Sequence, residues 1–143
     1  MTIDQISIFV ENRPGRLAEV TGILGDAGVD LRAMSIADTT DFGILRLIVD
    51  DAKRAKELLS SANCVFSLTQ VLAVSIEDSP GSLAKVLRIL SDANISVEYA
   101  YAFITRKRGD AYVIFRVEDN DRAIAVFEKN GVKTASAGEL FDL

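Results

Sequence analysis

Two short stretches of the sequence place an amide or carboxylate side chain two residues before a Pro-Gly pair. They read ENRPGRL at 11–17 and EDSPGSL at 77–83. Glycine has no side chain to shield the backbone N–H groups at a helix start, and those groups, with the positive end of the helix dipole, attract a carboxylate. Asn12 or Asp78 could receive the ammonium group of the same molecule. The motif therefore predicts a site for a zwitterion such as a free amino acid.

The same residues also have a purely structural interpretation. Proline is favoured at the first position of a helix because its missing N–H costs nothing there. This preference predicts a helix cap at Arg13 or Ser79, with Pro14 or Pro80 as the first helical residue. A Pro-Gly pair can also make an efficient strand-to-helix corner without binding anything, so the motif leaves both interpretations open.

The sequence shows no arrangement of residues typical of catalysis. It has no histidine and a single cysteine, Cys64, so we expect neither a metal site built on His and Cys nor an activated nucleophile. Cys64 is interpreted as a buried structural thiol. We therefore expect a protein that is not an enzyme, with no catalytic residues, no metal and no cofactor.

Charge and hydropathy restrict the partners. The 143 residues include 16 basic and 21 acidic side chains, a net charge of -5, which disfavours binding to nucleic acid or to an acidic membrane surface. No apolar run approaches the roughly 20 residues of a membrane-spanning helix. The N-terminus lacks the basic segment and the cleavage site of a signal peptide. We expect a cytoplasmic protein without nucleic acid or membrane partners.

The chain is a tandem duplication. Residues 11–27 and 77–93 share ten identities in seventeen positions, and beyond this block the second copy carries two extra residues. A repeat of this kind defines the domains before any local pattern is considered. We predict one domain over 1–69 and a second over 70–143.

Each copy has the hydrophobic pattern of alternating strands and helices. Ile6, Ile8 and Val10 alternate with polar residues, which predicts a strand over 3–10, matched by 71–76. A stripe at helical spacing follows in both copies and ends at Gly28 or Asn94. The stripes are Leu17, Val20, Leu24 and Ala27 in the first copy and Leu83, Val86, Leu90 and Ala93 in the second. The remaining predicted elements are second strands at 29–38 and 95–104, third strands at 44–49 and 111–117, second helices at 50–61 and 119–130, and closing strands at 65–69 and 132–136.

The order βαββαβ, written twice, predicts an α+β protein made of two tandem ferredoxin-like units. Each unit should have a four-stranded antiparallel sheet with two helices on one face. The junction between the copies runs apolar from Val65 to Ile76 without a Pro, Gly or Ser linker. We therefore expect the two units to be docked side by side.

The stretch ENRPGRLAEVTGILGDAGVDL, with strands before and after it, resembles the opening of an ACT domain, a regulatory module found on many enzymes of amino-acid metabolism. EDSPGSLAKVLRILSDANISV resembles it equally, so the chain is similar to two ACT domains in tandem. Members of this family typically bind free amino acids in grooves where two ACT units meet. The resemblance implies contacts from the turn before the first helix and from the start of the second strand. These residues are Val10, Asn12, Arg13, Pro14, Gly15, Leu17, Asp30 and Leu31 in the first copy and Ile76, Asp78, Ser79, Pro80, Gly81, Leu83, Ser96 and Val97 in the second.

The resemblance also implies a function. A tandem ACT protein without an attached catalytic domain is expected to sense a free amino acid, or a similar small carboxylate, and to modulate a separately encoded metabolic enzyme. We expect it to form a homo-oligomer, most simply a dimer. The alternative is a ligand-free module for protein-protein interaction or oligomerisation, in which the Pro-Gly turns are only structural.

Overall fold

The computed structural model describes residues 1–38, 41–105 and 109–141. The chain divides into two compact units. The N-terminal unit is Asp4–Thr69, and the C-terminal unit consists of Met1–Ile3 together with the chain from Gln70 onwards. Helices and strands are both present in each unit, so the predicted α+β class is confirmed.

The N-terminal unit has the strand order β4-β1-β3-β2, in which β3 pairs antiparallel with both β1 and β2. This order follows from a split βαβ connection, because the helix after β1 leads to a strand that is not its neighbour. The elements are β1 (Ile3–Glu11), α1 (Arg16–Asp26), β2 (Leu31–Asp38), β3 (Phe42–Val49), α2 (Ala52–Ser61) and the beginning of β4 (Phe66–Glu77).

The C-terminal unit repeats this arrangement with the order β7-β4-β6-β5. The predicted closing strand of the first copy and opening strand of the second form the single strand β4, whereas the closing strand of the second copy is only two residues long. A short final helix was not predicted. The further elements are α3 (Ser82–Asp92), β5 (Val97–Phe103), β6 (Asp110–Val117), α4 (Asn120–Lys129), β7 (Thr134–Ala135) and α5 (Ala137–Phe141).

The core of each unit lies between the sheet and its two long helices. Ile6, Ile8 and Val10 of β1 are buried against Val20 and Leu24 of α1, which confirms the predicted strand face and most of the helical stripe. The stripe is wrong at its N-terminal end. Leu17 is 41% exposed and its repeat partner Leu83 is 40% exposed. The core of the C-terminal unit is built in the same way from Leu72, Val74, Val86, Leu90, Val113, Phe115, Val117, Ala123 and Phe127.

The first helix of each unit ends as the sequence predicts. Gly28 has φ 78° and Asn94 has φ 58°, the left-handed conformation that glycine and asparagine tolerate best at a helix exit. Within the described residues, no helix is both long and apolar enough to span a membrane.

Two glycines, one inside α1 and one just after its end, test the assigned bounds of this helix. A Cβ at Gly22, inside the helix, would meet no atom within 4 Å, so Gly22→Ala should stabilise the protein by about 1 kcal/mol through helix propensity. Gly28→Ala should destabilise it by about 1 to 2 kcal/mol, because alanine resists a positive φ. Urea denaturation measures both changes. Equal effects of the two substitutions would contradict the assigned end of α1.

Candidate functional site

The first Pro-Gly pair forms a turn before the helix, not its first residues. The N–H of Arg16 donates to the carbonyl of Arg13 at 3.3 Å, and Gly15 between them has φ 83° and ψ -11°. These are the angles of the third residue of a type II turn, the position that needs glycine, with proline before it. The predicted start of the helix at Pro14 is therefore wrong, since α1 begins at Arg16 with Gly15 as its N-cap residue.

The second Pro-Gly pair has the same geometry. The N–H of Ser82 donates to the carbonyl of Ser79 at 3.3 Å, and Gly81 has φ 86° and ψ -6°. A Cβ at Gly81 would meet nothing within 4 Å, and the same holds at Gly15. Both glycines are thus required by the backbone conformation and not by a close neighbour. We call residues 12–15 and 78–81 the two corners.

Both corners leave the start of a helix without a capping side chain. Gly15 and Gly81 are the N-cap residues of α1 and α3, and glycine has no side chain to accept from the first-turn N–H groups. The second helix of each unit differs. Asp51 accepts from the N–H of Arg54 at 3.0 Å, and an aspartate caps α4 in the same way. The uncapped starts coincide with the predicted carboxylate sites, and their N–H groups carry the positive end of the helix dipole.

Ion pairs surround the first corner. Arg16 Nε lies 2.7 Å from Glu11 Oε2, and Arg16 Nη1 lies 3.1 Å from Glu19 Oε2. Arg13 Nη2 also lies 3.1 Å from Glu19 Oε2. The second copy has serine at the two arginine positions and Lys85 at the position of Glu19. The two corners therefore share a backbone but differ in charge.

These contacts lower the pKa of two glutamates beside the first corner. The hydrogen bond from Arg16 holds the pKa of Glu19 below its ordinary value, helped by the charge of Arg13. The pKa of Glu11 is also lowered, first by a hydrogen bond from its own backbone and then by Arg16. Since both folded pKa values are depressed, the stability that these carboxylates contribute is present above the ordinary glutamate value and is lost as the pH falls through the lowered values.

The predicted contact residues are mostly accessible. Leu31, Ile76 and Val97 are half-buried, and Val10 is buried in the core of the N-terminal unit, so its side chain does not reach the surface. The exposed members are Asn12, Arg13, Pro14, Gly15, Leu17 and Asp30 in the first copy and Asp78, Ser79, Pro80, Gly81, Leu83 and Ser96 in the second.

Within one unit, the corner and the start of the second strand do not come together. Val10 pairs with Gly43 at one end of β3, whereas Leu31 pairs with Val49 at the other. Six residues of an antiparallel strand span about 20 Å, more than the length of an amino acid. The register of β6 gives the same separation in the C-terminal unit, where Ile76 pairs with Ala111 and Val97 with Val117.

The two strand starts differ in their surroundings. In the N-terminal unit the N–H of Asp30 donates to Asp50 Oδ1 at 2.9 Å, and Asp30 Oδ2 lies 3.5 Å from Arg32 Nη1. In the C-terminal unit Ser96 lines an open cleft of about 400 Å³ with Leu87 and Asn94. In the part of the chain that the structure describes, no group of three or more His, Cys, Asp or Glu residues could hold a metal ion.

Comparison with known proteins gives a consistent result. A family model described as an ACT domain pair matches residues 1–143. The crystal structure of protein BT0572 from Bacteroides thetaiotaomicron is 38% identical, with a TM-score of 0.92, over 100% of this chain and 98% of that chain. The regulatory subunits of aspartate kinase from Thermus thermophilus, in its ligand-free form, and from Thermus flavus are 19% and 18% identical, with TM-scores of 0.62 and 0.60, and each comparison covers 88% of this chain and 90% of that chain. No curated protein matches the chain.

Replacement of Arg16 tests the ion pairs at the first corner. In Arg16→Gln, the pKa of Glu19 should rise towards its ordinary value, because the hydrogen bond that lowers it most is lost. A carbon-detected NMR titration of the glutamate carboxyl groups measures this shift. Arg54→Gln, on α2, is the control and should leave Glu19 unchanged. An unchanged pKa in Arg16→Gln would show that the ion pairs do not form in solution.

Proposed function

Since the chain belongs to the family of ACT domain pairs, we propose that it binds a free amino acid, or a similar small carboxylate, and regulates a separately encoded enzyme. The fold is shared with proteins whose names describe regulatory subunits of aspartate kinase. We propose residues 1–69 and 70–143 as the two ACT domains. Their side-by-side docking and a cytoplasmic location stay predictions from the sequence.

The observation that carries this proposal is the pair of uncapped helix starts. The structure builds the same type II turn twice, with Gly15 and Gly81 in left-handed conformation. Each turn leaves the positive end of a helix accessible to a carboxylate. Leu17 and Leu83 follow the corners and are exposed, so each offers apolar surface beside the polar groups. We propose that these leucines contact the side chain of the ligand, while Asn12 and Asp78 receive its ammonium group.

Regulation follows from binding if the ligand distinguishes two states of the protein. A ligand shifts an equilibrium only by the difference between its affinities for the two states. The predicted contacts come from a corner and from a strand start that lie about 20 Å apart in one unit. A ligand that needs both therefore needs two ACT units, and its affinity depends on how those units are assembled.

A second candidate function is favoured by an apolar surface on the N-terminal unit. Phe9 points away from the core of this unit and is 43% exposed, and its ring stacks on Phe42 with centroids 4.4 Å apart. Val65 beside it is 70% exposed, and the three belong to the sheet face that no helix of the unit covers. Exposed apolar surface of this kind is typical of contacts between chains. We propose that it forms the homodimer contact expected from the sequence.

A thermal-shift panel of the common amino acids tests whether the protein binds one of them. A ligand at one hundred times its dissociation constant stabilises the folded state by about 2.7 kcal/mol, which raises the melting temperature by several degrees. The double variant Leu17→Glu, Leu83→Glu should lose this shift, because each new carboxylate competes for a helix start. Both leucines are exposed, so the fold should be retained.

The matched control is Gly25→Glu, Ser91→Glu. It adds the same charges to the same two helices at exposed positions in their last turns, away from the helix starts and outside the predicted set, and it should keep the shift. A flat panel would contradict amino-acid binding and favour the interaction module. A shift that survives in the leucine variant would place the ligand elsewhere.

The dimer contact is tested by light scattering after size exclusion. Phe9→Lys should convert a dimer into a monomer, because it puts a charge into the apolar face. Leu87→Lys, at an exposed leucine of α3, should leave the dimer intact. An unchanged mass of the Phe9→Lys protein would exclude this face as the contact.

A further inference from the structure

A groove of about 430 Å³ lies within the C-terminal unit, apart from the strand start at Ser96. Its walls are the first turns of α3, the end of β4 and the loop after α4. Ile76, Val86 and Val132 supply an apolar floor. Ile76 is the one predicted contact in its lining, and no residue of the proposed dimer face lines it.

Charged side chains of both signs line the groove. Glu77 and Asp110 are opposite each other in the pairing of β4 with β6, so their like charges lie side by side, an unfavourable arrangement in the absence of a cation. Lys85 of α3 and Lys133 of the following loop lie on the other walls. Within the described residues, none of these four side chains forms a salt bridge or a side-chain hydrogen bond. The groove therefore presents two acidic and two basic groups that no side chain in the described part of the chain satisfies.

The N-terminal unit shows what fits at the equivalent place. One backbone hydrogen bond identifies the equivalent place, since Phe9 N–H donates to the Val65 carbonyl at 2.9 Å and Ser75 N–H donates to the Lys133 carbonyl at 3.0 Å. In the N-terminal unit this region holds the guanidinium of Arg16, whose side chain is only 16% exposed.

The surroundings of Arg16 support that position. Its guanidinium contacts Glu11 and Glu19, and its pKa is raised first by the hydrogen bond to Glu19, with a smaller contribution from Cys64. Cys64 follows α2 as the groove residue Val132 follows α4. The N-terminal unit thus fills its own groove with a cation.

The second copy lacks this internal cation, and one of the two positions that contact it has the opposite charge. Serine replaces the arginine, and its hydroxyl is turned towards the corner, where Ser82 Oγ lies 2.8 Å from Ser79 Oγ. Of the two carboxylates that contact Arg16, Glu11 corresponds to an acid in the second copy and Glu19 to a lysine. A further acid stands where the first copy has Phe42. The corresponding pairs, first copy before second, are Arg16 and Ser82, Glu11 and Glu77, Glu19 and Lys85, and Phe42 and Asp110.

We propose that this groove binds a small zwitterion. Its cationic group lies against Glu77 and Asp110, as the guanidinium of Arg16 lies against Glu11. Its anionic group lies against Lys85 and Lys133, and a short aliphatic chain between the two groups rests on the apolar floor. The site is contained in one unit, so it goes beyond the proposed amino-acid site and does not depend on it.

Calorimetry with 3-guanidinopropionate tests the proposal, since this probe is a zwitterion but not an α-amino acid. It should bind the native protein, and the single-charge probes ethylguanidine and propionate should each bind at least about tenfold more weakly, because each lacks one charge-assisted contact. Ser82→Arg should reduce the affinity for the zwitterion by at least about tenfold, because it puts back the side chain that occupies the groove in the first copy. Ser82→Ala removes the hydroxyl but leaves the groove open, so it should bind normally.

A second variant keeps the test valid if the buried Ser82 position does not accept arginine. Lys133→Glu, at an exposed residue, should also weaken zwitterion binding. Failure of 3-guanidinopropionate to bind, equal affinity for the single-charge probes, or full affinity in both variants would overturn the proposal. Its failure is distinguishable from that of the proposed function, because 3-guanidinopropionate is not an α-amino acid, and the shift that the Leu17→Glu, Leu83→Glu protein loses reports on the corners.

Discussion

The positive φ of one glycine in each unit determines how the rest of the candidate site is built. Gly15 and Gly81 can hold φ near 85° without strain, and with the preceding proline they close a type II turn. The turn places the first helical residue directly after the glycine. A side-chain cap needs a residue in extended conformation at that place, as Asp119 has before α4. The turn and a capping side chain are therefore mutually exclusive, and the exposed N–H groups are a consequence of the corner itself.

Because the corner is duplicated, changes around it can be compared on one backbone. The turn hydrogen bonds have the same length in both units, 3.3 Å, although the residue after each glycine is Arg16 in one and Ser82 in the other. Arg16 contacts two carboxylates at the first corner. With serine at the equivalent position of the second corner, Lys85 has no ion-pair partner among the described residues. The fold of the corner is thus independent of the charges that surround it, and the two copies can differ in what they bind without a change of architecture.

The sequence predicted those features that local pattern determines. Alternation at Ile6, Ile8 and Val10 predicted the buried strand face, and the tolerance of Gly28 and Asn94 for positive φ predicted the helix exits, because both depend on residues close in sequence. The helix start was mispredicted at Pro14 since proline has φ near -65° both at the first position of a helix and at the second position of a type II turn. Only the conformation of the next residue separates these cases. The separation of corner and strand start depended on the register of β3 and β6, which pair residues distant in sequence, so no local pattern could supply it.

A helix start with glycine at the N-cap forgoes about a few tenths of a kcal/mol compared with one capped by aspartate. The same chain caps α2 and α4 with Asp51 and Asp119, so capping chemistry is available to it, and yet both copies keep the corner at the first helix. Proteins commonly violate a local rule of stability where they bind something, because a group left unsatisfied by the fold is available to a ligand. The same reasoning applies to the groove of the C-terminal unit, where four charges without a partner among the described residues take the place of the internal ion pair of Arg16 and Glu11. In both places the repeat supplies the internal comparison, and on this proposal the ligand completes the contacts that the folded chain leaves open.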